Sequence, residues 1–376
     1  MREVNSMPKA AWSEFWGLIA DPFHMYPLTV QNFLDRPNLL VRTRAISLMD
    51  ESIEVWRRSP VPRSTALYGR RGIGKTTLLN YVEHLLNQNL SEWRILPIGA
   101  KLLSPSPDPD SLLGSLFFSL MDSLSYNRHL SEPMRERSRK FLIGRDWEPR
   151  FDLSRLAVHF TDLISSITSH GEKVVLLVDE FDKIPRDVVA DFLKGFQGTW
   201  ERLSSRDVSW VFSLGPLEEP FTDYAWSDGY QLIDNFIPLH SWNKDEVAEL
   251  IERHLRAVRP RTCLSDYFDH GAISLLTRTS GGIPRNAMRL AEELLILAAQ
   301  QKKRPIDEQL VRELVIERWP IGMLTTGAQD ELSKASLVFR EKVVDLARRF
   351  ATLKGHSMIT LQDVEDAVEQ IKKRGS

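Results

Sequence analysis

Gly69-Arg70-Arg71-Gly72-Ile73-Gly74-Lys75-Thr76 is the stretch on which the fold turns. Its three glycines permit backbone conformations and close approaches that side chains resist. Successive N–H groups in such a loop point inward around an anion, at the positive end of the helix that follows. In a GxxxxGK[ST] pattern, Lys75 would reach the β- and γ-phosphates of a nucleotide, and the Thr76 hydroxyl would bind Mg²⁺. Gly69, Arg70, Arg71, Gly72, Ile73, Gly74, Lys75, Thr76 and Thr77 are therefore the expected nucleotide contacts.

The motif requires a strand before the loop and a helix after it. Residues 64–68 read as a short apolar strand ending at Gly69, and 76–90 as a helix. Further strands are expected at 94–98, 173–178, 208–214 and 232–239, with a mostly helical section over about 104–170. The 173–178 run (Lys-Val-Val-Leu-Leu-Val) is continuously apolar after its first residue, as expected of a strand covered by helices on both faces. Strands alternating with helices over 60–240 predict a parallel α/β sheet. Beyond Trp242 only helices are expected, at 243–258, 270–279, 284–300 and 307–318. Asn243 with Glu246 three residues on reads as a helix-opening cap.

Asp179 and Glu180 follow the apolar strand directly. Strand-end carboxylates in a doubly wound sheet lie on the edge where ligands bind. Asp179 is placed to hold the magnesium shell, through water or directly. Glu180 is placed to orient or deprotonate an attacking water.

Loop and Asp-Glu pair resemble the Walker A and Walker B motifs of ASCE-type P-loop ATPases. The run Leu177-Val178-Asp179-Glu180-Phe181-Asp182-Lys183 is similar to AAA+ proteins of the origin-recognition and initiator type. That resemblance implies ATP and Mg²⁺ as ligands and ATP hydrolysis as the activity. It also puts Ser213, near the end of the 208–214 strand, in the sensor 1 place, contacting the γ-phosphate or the water. Gly281-Gly282-Ile283-Pro284-Arg285 resembles the Gly-x-Pro-Arg sensor 2 motif, which makes Arg285 a catalytic and nucleotide-contacting candidate beside Lys75, Glu180 and Ser213. A GTPase would carry Asp-x-x-Gly and Asn-Lys-x-Asp; this chain has Asp179-Glu180-Phe181-Asp182 and Asn243-Lys244-Asp245-Glu246 instead. The family's arginine finger has no counterpart in 216–235, which lacks arginine, and Arg202 and Arg206 are weak substitutes. Phe15-Trp16-Gly17-Leu18 and Asp21-Pro22-Phe23 look like the opening of bacterial secretion-associated and transposon target-selection ATPases.

Outside that core, residues 1–58 form an aromatic-rich segment (Trp12, Phe15, Trp16, Phe23, Tyr26, Phe33) and a helix expected to pack on the ATPase core. In that helix Leu40, Ile46, Leu48, Ile53 and Val55 are the inward candidates, and Ser59-Pro60-Val61-Pro62 breaks the pattern. The expected divisions are then a P-loop core at 59–241, a helical lid at 242–320 and a small helical domain at 327–376. The last resembles the small helical domain of a light-independent protochlorophyllide reductase subunit or the end of a histone fold, with Thr360 capping its final helix.

A net charge of −2 carries no overall nucleic-acid signature, and a single cysteine, Cys263, excludes an intramolecular disulfide and a cysteine-based zinc site. No apolar run approaches the roughly 18 residues of a membrane span, so a cytoplasmic protein is expected. Basic clusters at Arg135/Arg137/Arg139/Lys140, Arg253/Arg256/Arg259/Arg261, Lys302/Lys303/Arg304 and Lys372/Lys373/Arg374 make DNA one candidate partner. A protein partner or self-assembly is the other. The function expected is an AAA+-like ATPase coupling nucleotide state to recruitment or remodelling of a macromolecule. The alternative is a STAND-like nucleotide switch with slow turnover.

Overall fold

The computed structural model describes residues 9–23, 27–58, 63–101, 109–143, 153–169, 171–181, 208–215, 233–317 and 359–375, with 343, 346, 347, 350 and 351. Tyr26, the 59–62 breaker, the turn at 104–108, Arg202, Arg206 and most of 216–235 lie outside them. The chain divides into two compact units. One holds His24–Trp242 with Ile283–Arg285; the other holds Met1–Phe23, Asn243–Gly282 and Asn286–Ser376.

The first, the P-loop unit, is built on a parallel five-stranded sheet in the order β2-β3-β4-β1-β5. The strands are β1 (Thr65–Tyr68), β2 (Ile95–Lys101), β3 (Lys173–Asp179), β4 (Val208–Leu214) and β5 (Asn235–Pro238). The period of two along β3 explains its unbroken apolar run. Val174, Leu176 and Val178 join one core with Ala66, Phe212, Phe117, Leu120 and Ile164. Val175 and Leu177 join another with Leu67, Val211, Ile53, Leu78 and Val82. The first core includes residues of helices α6 (Pro109–Tyr126) and α8 (Leu153–Thr168); the second includes residues of α3 (Arg44–Arg58) and α4 (Lys75–Gln88). Further described helices of the unit are α2 (Val30–Asp35), α5 (Leu90–Trp93) and α7 (Glu132–Ile143).

In α3 the inward face differs from the one expected. Ile46 and Ile53 are buried, but Val55 is 40% exposed, and the buried set is Ala45, Ile46, Met49, Ser52, Ile53 and Trp56. Ser52 makes this rotation tolerable. Its hydroxyl donates to the Leu48 carbonyl at 2.9 Å and accepts from Asn235 Nδ2 at 2.8 Å, so a polar residue sits inside without an unmet hydrogen bond. Strand β5 is shorter than the 232–239 expected.

The helical unit contains α1 (Lys9–Trp16), α9 (Lys244–Val258), α10 (His270–Ser280), α11 (Pro284–Gln301) from Asn286 onward, α12 (Glu308–Glu317) and α13 (Leu361–Gly375). Asn243 opens α9 as expected: its side chain accepts from Glu246 N at 3.0 Å, and Glu246 Oε2 accepts from Asn243 N at 2.8 Å. Thr360 and Asp363 make the same reciprocal cap on α13. Val343, Ala347, Ala351, Ile359, Val364 and Ala367 form a separate small apolar cluster around that helix.

The 1–58 segment is split between the units. Residues up to Phe23 belong with the helical unit and 27–58 with the P-loop unit. Trp16, 1% exposed, gives the physical reason. Its indole N–H donates to the Leu295 carbonyl at 2.8 Å, and its ring stacks on Tyr267 at 5.1 Å between centroids. Phe23 likewise stacks against the His254 ring. No described helix is long and apolar enough to cross a membrane.

Candidate functional site

The glycine loop joins the end of β1 to the start of α4, as the motif requires. Gly74 is the residue before the helix, at φ 113, and no side chain caps the helix start. An uncapped helix start of this kind presents backbone N–H groups in the arrangement an anion needs. At Gly69 space is decisive: a Cβ there would come within 2.7 Å of the Leu239 carbonyl oxygen. Any side chain would push the start of the loop away from the chain that leaves β5. Leu239 was not marked by its sequence, because its part is played by the main chain.

Lys75 is 5% exposed, and its ammonium donates to the carbonyls of Gly69 at 2.7 Å and Arg70 at 3.2 Å. The side chain therefore folds back across its own loop. Arg70 and Arg71 are exposed, while Ile73 is buried beneath the loop and Thr77 is half-buried on α4.

Asp179 gathers the rest. The Thr76 hydroxyl donates to Asp179 Oδ2 at 2.7 Å, and the Ser213 hydroxyl donates to Asp179 Oδ1 at 2.7 Å. The backbone N–H of Glu180 reaches both Asp179 Oδ1 at 2.8 Å and Ser213 Oγ at 2.9 Å. Register explains the convergence. Leu67 of β1 pairs with Ser213 of β4, and Val178 of β3 pairs with Phe212, so the carboxyl ends of the three strands are level. Glu180 itself sits at φ 73, a left-handed backbone that a residue with a side chain adopts only at a cost of about 1–3 kcal/mol. The doubly bonded N–H holds it there.

Residues 61–218 match the family model described as AAA domain. This segment, a little under half of the chain, is an AAA domain. No curated protein matches the chain. Among solved structures, the AAA domain and its flanking helices are similar to Cdc6p from Pyrobaculum aerophilum at 16% identity, covering 89% of this chain and 82% of that one with a TM-score of 0.48. They are similar to Aeropyrum pernix ORC1, solved in complex with DNA, at 14% identity, covering 90% and 85% with a TM-score of 0.47. The Thermotoga maritima RuvB Holliday junction branch migration motor matches at 14% identity, covering 78% and 72% with a TM-score of 0.38.

Arg285 lies in the three-residue stretch grouped with the AAA domain's unit. Its backbone N–H approaches the Gly72 carbonyl at 3.4 Å. A Cβ on Gly72 would meet Arg285 Cβ and Ile283 Cγ2, each at 3.2 Å. The second loop glycine thus has a steric role toward Ile283 and Arg285 that its motif alone does not reveal. Every sequence-marked site residue lies in this one unit: the loop, Asp179, Glu180, Ser213 and Arg285.

Proposed function

We propose that the AAA domain binds ATP with Mg²⁺ and hydrolyses it, coupling nucleotide state to a macromolecular partner. The observation that carries this reading is the Asp179 carboxylate, bonded at once to Thr76, Ser213 and the N–H of Glu180. A hydroxyl and a carboxylate oxygen 2.7 Å apart are hard oxygen donors of the kind Mg²⁺ takes, so the residues present fit the ion. Bound Mg²⁺ would supply neutralising charge beside the phosphate oxygens.

The loop amides and the start of α4 cradle the phosphates, and Lys75 carries the fixed positive charge among them. Thr76 and Asp179 would hold the metal. Glu180 orients the attacking water or takes its proton, and the bonds to its N–H fix the backbone from which that carboxylate projects. Ser213 bonds to both Asp179 and the Glu180 N–H, and Arg285 supplies a guanidinium toward developing phosphate charge.

ATP turnover by wild type and Glu180→Gln, with and without double-stranded DNA, tests the reading. Sizing with a slowly hydrolysed ATP analogue accompanies it. The substitution keeps the side chain's shape and removes its basicity, so kcat falls by about 10²–10⁴-fold while nucleotide still binds. Wild type that binds ATP yet shows negligible turnover in every condition would overturn hydrolysis in favour of a slow nucleotide switch.

A further inference from the structure

Many of the described residues in the basic clusters marked in the sequence pair with a carboxylate close by in the chain. Arg139 pairs with Glu132 at 2.9 Å, Lys140 with Glu136 at 3.1 Å, Arg256 with Glu252 at 2.7 Å and Lys303 with Asp307 at 2.8 Å. Arg135 and Arg253 pair with Glu132 and Glu249. Four exposed cations of these clusters in the helical unit are different: Arg259, Arg261, Lys302 and Arg304 pair with no carboxylate among the described residues.

They come from two turns more than 40 positions apart, and both turns close on the same aromatic pair. Arg259, after α9, donates to the Trp16 carbonyl at 2.7 Å and to the Tyr267 hydroxyl at 3.3 Å. Arg304, after α11, lies 4.1 Å from the Phe15 ring centroid and 4.7 Å from that of Trp16. The Ile306 N–H donates to the Tyr267 carbonyl at 2.7 Å, which ties the second turn to the first. Arg261 and Lys302 sit in these turns beside Arg259 and Arg304. The nearby carboxylate of Asp266 accepts from Cys263 N, and Glu14 is exposed on α1.

We propose that Arg259, Arg261, Lys302 and Arg304 form a surface for the sugar-phosphate backbone of double-stranded DNA, resting on the reading that the partner is a macromolecule. Cations packed on aromatic carbon and main-chain oxygen keep their net charge, whereas those in helix ion pairs do not. Guanidinium groups match phosphate with two parallel N–H donors. Trp16 and Tyr267 are each 1% exposed and already stacked on each other, so they offer no ring for an unpaired base. That favours a duplex contacted through its phosphates over a single strand, with no preference for sequence.

Fluorescence anisotropy of a labelled duplex with the full chain, read without nucleotide across a salt series, tests this surface. Four phosphate contacts give a slope of log K against log salt of about −3 to −4. Arg261→Ala combined with Lys302→Ala removes two contacts without touching the bonds of Arg259, so the slope becomes shallower by about 2. A duplex of different sequence binds equally, Arg58→Ala in the other unit leaves the curve unchanged, and ATP turnover of the double variant matches wild type. Duplex binding that the double variant does not weaken would overturn the proposal. So would preference for phosphatidylserine vesicles over duplex, which would make the surface a lipid contact. A chain that binds duplex in this way but never hydrolyses ATP leaves this surface standing and overturns the catalytic reading alone.

Discussion

The two units spend their polar groups in opposite ways. In the P-loop unit Lys75, Asp179 and Ser213 are all at least nine-tenths buried; Ser213 bonds to Asp179, and Lys75 to the carbonyls of its own loop. In the helical unit, ion pairs such as Arg289 with Glu293 lie on the surface one turn apart. Buried networks in low dielectric are strong when complete and costly when one member is lost, whereas exposed pairs contribute about 0–1 kcal/mol each. Chemistry therefore sits where polar geometry is fixed, and the helical unit is held by buried, mostly aliphatic side chains, with Trp16 at the centre of its aromatic contacts.

Removing that centre gives the largest expected effect on stability. Trp16→Ala deletes a buried indole, its stacking on Tyr267 and its bond to Leu295, and costs the helical unit about 3–5 kcal/mol. Denaturant unfolding monitored by circular dichroism checks it. A loss under about 1 kcal/mol would mean that the segment only rests on the unit. In the P-loop unit, Ser213→Ala strips one partner from Asp179 and one from the Glu180 N–H, costing about 1–3 kcal/mol. A variant as stable as wild type would show that the network is not under the tension of burial. The smallest effect is expected at Glu83 on α4, whose carboxyl burial pushes above the usual carboxylate range. An acid with a raised folded pKa favours folding below its unfolded pKa and loses that contribution as pH rises through the folded value. Glu83→Gln should therefore raise the thermal midpoint near neutral pH, with the gain vanishing toward acid; an equal gain at every pH would rule out titration as its cause.

Element bounds were legible in both units: helices α9 to α12 fall within a residue of the expected 243–258, 270–279, 284–300 and 307–318. Strand β4 falls on the predicted residues end to end, and β1, β3 and α4 fall within a residue or two, because short apolar runs and glycine punctuate them. Thr76 and Ser213 both bond to Asp179, whereas Lys75 bonds to the carbonyls of its own loop. What stayed hidden was carried by the main chain or by distance. The left-handed Glu180, the Leu239 carbonyl over Gly69 and the Arg285 amide against Gly72 leave no mark on residue type. The face of α3 was misjudged because Ser52 reads as solvent-facing until its two hydrogen-bond partners are known. The docking of Trp16 could not be read locally at all, since its acceptor is 279 positions away.

That separation also has a consequence for biosynthesis. The aromatic start of the chain emerges from the ribosome long before Leu295, and at about 5–20 residues per second the interval is roughly 15 to 55 s. For most of it Trp16 and Phe23 lack their native ring partners, Tyr267 and His254, while the sheet between is already being made. The nascent segment is thus a natural client for a chaperone that holds hydrophobic residues near the tunnel exit, and its release is timed by the synthesis of α11.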